Sequence, residues 1–145
     1  MLDHRTAPYA ALALRLSLAF FFIAHVYRKF AIIGFDNWWN RLNRDGYPDW
    51  VVYYTLAAES AGAVLLLLGI YSRYVSLLAL PVLIAVTHYW ATRKGFWFGD
   101  GGAEFPLAWT MMLAAQALLG DGAYAVKVLA LPWERGRAPG AARMT

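Results

Sequence analysis

Six side chains in this sequence stand where their chemistry is out of place. Arg15, His25, Lys29, Glu59, His88 and Glu104 lie inside long apolar runs or at their ends. An ionisable group within such a run costs on the order of 3 kcal/mol to place in hydrocarbon, so it is expected to have a partner and often a function. A carboxylate beside a guanidinium or ammonium can fix helix register, floor a polar pocket or relay a proton. Histidines nearby can transfer protons, hold a metal or contact a carbonyl group. These six residues are the candidate polar pocket or ligand-binding set, and none of them carries a catalytic motif.

At ~1.5 Å of rise per helical residue, depth sorts the six groups into two levels. Arg15 stands ~9 Å into the first run, and Glu59 ~16 Å from the same membrane face in the second. A long arginine covers that ~7 Å difference, which predicts an Arg15–Glu59 ion pair between the first two helices. Ala57, Ala58, Ser60, Ala61, Gly62 and Ala63 surround Glu59, and small residues let a neighbouring backbone come close. His25 and His88 fall ~21 to 24 Å from that face. Lys29 is one turn beyond His25, and Glu104 precedes the fourth run on the same side. The expectation is a second cluster of His25, Lys29, His88 and Glu104, opening toward the opposite face. Each level has two readings: structural glue with interfacial hydrogen bonding, or a pocket that binds a ligand. Two histidines at no fixed spacing are not a metal motif, and no metal is expected.

Helices must position these groups. Four apolar runs, at about 9–29, 51–70, 74–91 and 104–120, approach the ~20 residues needed to span ~30 Å of hydrocarbon. None shows the alternation of a barrel strand, and backbone groups in lipid must pair internally. The expected fold is therefore all-α, a transmembrane four-helix bundle. Aromatic residues at the run edges, among them Trp38, Trp39, Tyr47 and Trp50, suit the head-group layer. Asp36-Asn37-Trp38-Trp39 is expected to form a short amphipathic or surface segment between the first two helices. Tyr71-Ser72-Arg73 is so short a connection that the second and third helices must be antiparallel neighbours.

The 145 residues suffice for one domain, taken as 1–131, followed by a flexible Pro-, Gly- and Arg-bearing tail at 132–145. Hydrophobic residues make up 61% and charged residues 15%, against roughly 25% charged in soluble domains. There is no cysteine, which excludes disulfides, thiol redox chemistry and Cys-ligated metal clusters in this chain. The net charge is +4, but the cations sit between the apolar runs, as for contact with anionic lipid. Nucleic acid is not an expected partner; the lipid bilayer is. The first run contains Arg15 and lacks a small-residue cleavage site, so it is not expected to be a cleaved signal. The loop cations divide equally between the two faces. Arg15 can snorkel toward the terminal face, which leans the reading to a multi-pass cell-membrane protein with both termini cytoplasmic.

Several local patterns together resemble the DoxX family of small four-helix membrane proteins. Arg15 stands where that family has an arginine in its first helix. His25-Val26-Tyr27-Arg28-Lys29-Phe30 is similar to its His-Gly-x-x-Lys-Phe segment, with Val26 in place of the usual glycine. Gly46-Tyr47-Pro48 resembles its Gly-x-Pro. Glu59 with Gly62, Leu68-Gly69 and Arg73 resembles its glutamate, glycine, Leu-Gly and arginine series. Gly101-Gly102-Ala103-Glu104 and Gly120-Asp121-Gly122 resemble its later motifs. The resemblance implies the membrane subunit of a quinone-linked oxidoreductase, like that of a thiosulfate:quinone oxidoreductase. Quinone is then the candidate cofactor, a soluble or membrane oxidoreductase the candidate partner, and a homo-oligomer a further form. The alternatives are a non-redox binding protein or isomerase for a lipophilic molecule, and an assembly subunit of a membrane complex.

Overall fold

The apolar runs form helices whose ends are set by proline and glycine. The structure, a computed structural model, describes residues 5–126. The expected tail at 132–145 and the last residues of the expected domain, 127–131, lie outside the described residues. Helix α1, Ala7–Tyr27, carries Pro8 in its first turn, where a missing N–H leaves no bond unmade. It runs on without a break into a π-helical turn, Arg28–Ile33, which stops at Gly34. A ten-residue helix α2, Phe35–Arg44, follows; this is the short segment expected between the first two long helices. Helix α3, Asp49–Ala61, likewise passes into a π turn, Gly62–Leu66. Helix α4 is Ser72–Lys94 and α5 is Glu104–Leu119. No strand occurs among the described residues.

Hydrogen bonds at one end show that the long helices run alternately up and down. At one end, the segment after α5 meets the start of α1 through Ala123 N–H to the Pro8 carbonyl, 2.9 Å. It meets the end of α3 through Val126 N–H to the Leu68 carbonyl, 3.0 Å. The same segment meets the start of α4 where Ser72 N–H donates to the Asp121 carboxylate, 2.6 Å. Four long helices thus lie side by side, with α2 at the other end.

The bundle centre is small and tightly filled. Leu18, Phe22, Leu66, Leu83 and Leu113 are fully buried or nearly so. The outward faces are apolar as well: Phe20, Ile32, Val64, Ile84, Met111 and Leu118 are all exposed. A helix that is apolar all round belongs in lipid or in a large core. Two helical runs, Ala7–Ile33 and Ser72–Lys94, are long and apolar enough to cross a membrane. Helix α5, at sixteen residues, measures ~24 Å, short of ~30 Å of hydrocarbon.

Close approach of α1 and α3 depends on one glycine. A Cβ on Gly62 would sit 2.6 Å from the Phe22 ring. Where lipid removes the hydrophobic drive between helices, such contact is what holds them together. Gly62→Val is expected to lower stability by about 1–3 kcal/mol, measured as a drop in the thermal unfolding midpoint in detergent. Adding Phe22→Leu recovers part of that loss, because the ring is what the new methyls meet.

Candidate functional site

Lys29 and Glu59 form a salt bridge in the interior, between the π turn of α1 and the last turn of α3. Lys29 is 7% and Glu59 5% exposed, so both have left water and depend on each other. Helix α2 covers them. Its Trp38, itself buried, places its indole 4.7 Å from the Lys29 ammonium, where the ring's negative face adds attraction. Lys29 lies inside the π turn Arg28–Ile33, and the π turn Gly62–Leu66 begins three residues after Glu59. Such turns widen a helix and shift the facing of later residues, and they recur at functional sites.

Arg15 does not pair with Glu59, contrary to the depth argument. Its guanidinium donates to the Asp121 carbonyl at 2.6 Å and the Ala123 carbonyl at 3.4 Å. It lies so close to Gly69 that any Cβ there would collide with it. Depth alone left the choice of partner open. Arg15 faces carbonyls just past the end of α5, which need donors. Glu59 is ~15 Å from the start of α3 at Asp49, and Lys29 only ~6 Å from the end of its helical run at Ile33. A lysine stem pointing inward covers most of that difference. Arg15 and Lys29 both lie on the buried stripe of α1 with Ala11, Leu18 and Phe22, so both cations face the interior at different levels.

The expected second cluster is also divided. His25 is half-buried and turns its ring edge-on to Trp109 of α5, 4.8 Å between centroids. It remains one turn before Lys29 on the same helix. His88 is exposed on α4 and joins neither group. Glu104 is exposed and accepts from the Phe98 N–H at 2.9 Å, closing the turn before α5. Residues His25, Lys29 and Glu59 therefore stay as one candidate site, while Arg15, His88 and Glu104 lie apart from it. Among the described residues, no group of three or more His, Asp or Glu side chains is placed to hold a metal.

Two features of this end carried no clear sequence signal. One is Trp38 as a cover, which reads in sequence as one more interfacial aromatic. The other is a clasp on Asp45, at the end of α2. Tyr89 Oη of α4 donates to its carboxylate at 2.7 Å, and Arg93 donates at 3.1 and 3.2 Å. The Arg93 guanidinium also lies 4.1 Å over the Tyr89 ring. The only hint was an acid directly before Gly46.

Set against family models, residues 10–93 match DoxX. The chain belongs to the DoxX family. The match covers nearly all of α1 through α4 and therefore the whole Lys29–Glu59 site with its α2 cover; α5 lies beyond it. DoxX membership and the apolar helices together make this a membrane protein in contact with the lipid bilayer. No curated protein and no solved structure matches the chain significantly.

The Asp45 carboxyl is held below the usual carboxylate range, first by the Tyr89 hydroxyl and then by Arg93. A depressed folded-state value means the clasp contributes fully above the ordinary carboxylate pKa of ~3.9 and is lost as pH falls through the lower folded value. The thermal midpoint in detergent, followed from neutral pH into acid, is expected to show this loss. Asp45→Asn should flatten that part of the profile while lowering the midpoint at neutral pH.

Proposed function

We propose that this DoxX chain is a four-span membrane protein with both termini cytoplasmic, and that it serves a quinone-linked oxidoreductase system. The spans are α1, α3 with its π turn, α4 and α5. The alternating helix directions, with the start of α1 and the segment after α5 meeting at one end, support an even number of crossings. The observation that carries the functional reading is the buried Lys29–Glu59 pair with His25 one turn away. A quinone carbonyl is an acceptor, and the Lys29 ammonium is a donor of matching kind. Glu59 then balances the charge and exchanges a proton with the reduced ring. The lipophilic body of the quinone lies along the apolar helix faces. With no cysteine in the chain, a bound cofactor or a partner oxidoreductase must carry the electrons. A homo-oligomer is compatible with the apolar outer faces.

A second reading is favoured by the fact that Lys29 and Glu59 neutralise each other. In it the pair fixes the register of α1 against α3, and the protein is an assembly subunit of a membrane complex. A non-redox binding protein for a lipophilic molecule would use the same site without electron transfer. Replacing a buried pair by apolar side chains of similar size is often close to neutral for folding. The doubly substituted Lys29→Met, Glu59→Met protein is therefore expected to fold. Titration with a short-chain benzoquinone, read by tryptophan fluorescence, should show affinity weakened by about tenfold or more through loss of charged hydrogen bonds. A folded double variant that binds quinone as the parent does would contradict the quinone reading. Absence of binding by the parent protein would favour the assembly role.

A further inference from the structure

Helix α2 is built differently from the long helices. It is bracketed by Gly34 and Gly46, whose φ angles are +83° and +86°. Neither glycine is demanded by packing: a Cβ on Gly46 would meet nothing within 4 Å, and one on Gly34 only the Asn37 amide at 3.4 Å. Their lack of a side chain serves the backbone turn itself, and glycine leaves that turn free to change. Between them, α2 rests on the bundle by an aromatic stripe. Phe35 stacks on Phe30 at 5.4 Å, Trp39 meets Tyr53 edge-on at 5.0 Å, and Trp38 covers Lys29. Its other face carries Asn37, Asn40, Arg41 and Arg44, all exposed. The far end is fastened to α4 by polar bonds of Asp45 to Tyr89 and Arg93, with the Tyr47 ring 6.3 Å from that of Tyr89.

We propose that α2 is a hinged lid over the Lys29–Glu59 pair, turning on Gly34 and Gly46 and latched shut by Asp45 on Tyr89 and Arg93. Closed, Trp38 seals the pair from the head-group layer. Released, the helix swings its aromatic stripe away and opens a path from the membrane interface to the ammonium and carboxylate. The entrant that fits this path is a lipophilic molecule with a carbonyl or hydroxyl head, because the route leads from the apolar flank of α1 and α3 to a charged floor. This regulation rests on the ligand-site reading given above, but opening of the lid is measurable without any ligand.

The test uses the full chain in lipid nanodiscs and sulfo-N-hydroxysuccinimidyl acetate, a water-borne reagent for amines. Acetylation of Lys29 is followed by peptide mass spectrometry against Lys94, which is exposed and serves as the internal reference. In the parent protein Lys29 should react far more slowly than Lys94. Asp45→Asn should raise the Lys29-to-Lys94 rate ratio by about fivefold, the effect of weakening one charged latch. Tyr89→Phe, which removes a single hydroxyl, should raise it less. Trp38→Ala removes the seal directly and should raise it at least as much as Asp45→Asn. The lid is overturned if Lys29 already reacts as fast as Lys94 in the parent. It is overturned equally if Asp45→Asn and Tyr89→Phe, with helix content unchanged, leave the ratio where it was, or if Trp38→Ala does so. Failure of quinone binding alongside a released Lys29 would remove the ligand reading and leave the lid.

Discussion

The salt bridge between Lys29 and Glu59 is the contact on which the rest of the arrangement depends. Two charges taken out of water need each other, and their contact joins the π turn of α1 to the last turn of α3. The glycine at 62 lies beside that pair in the chain. It sits less than one turn past Glu59 and lets Phe22 of α1 press against the α3 backbone. One π turn contains Lys29, and the other begins three residues past Glu59. Helix α2 then has a cation to cover, and Trp38 is its means of doing so.

The opposite end of the bundle is held by a separate device. Arg15 reaches past the helix ends to the carbonyls of Asp121 and Ala123. The Asp121 carboxylate in turn accepts from the first turn of α4. Arg15 and Asp121 together thereby tie α1, the start of α4 and the segment after α5 into one knot. This end has the character of a fixed foundation. The α2 end has glycines, an exposed polar face and a latch made of side chains.

Much of this was legible in the sequence, and the limits have physical causes. The helices followed from uninterrupted apolar runs, and α2 from the polar and aromatic residues around Trp38. That Arg15, Lys29 and Glu59 needed partners followed from the cost of their burial. Which partner each would take did not. Depth is one coordinate, and pairing also needs the direction in which a residue faces. The carbonyls that receive Arg15 belong to backbone, which has no residue type to read. His88 and Glu104 stood at a suitable depth but on exposed positions, because a helix of alternating neighbours buries only one stripe. Asp45 with Tyr89 and Arg93 joins residues far apart in the chain, and only the fold brings them together.

A double-mutant cycle on Lys29→Met and Glu59→Gln tests the central pairing most directly, with unfolding free energies measured in one detergent at neutral pH. A buried ion pair predicts that each single change leaves a stranded group and that the combined change costs less than the sum, by about 1.5 kcal/mol or more. Additive losses would contradict the pairing and, with it, the account of why α1, α2 and α3 meet where they do.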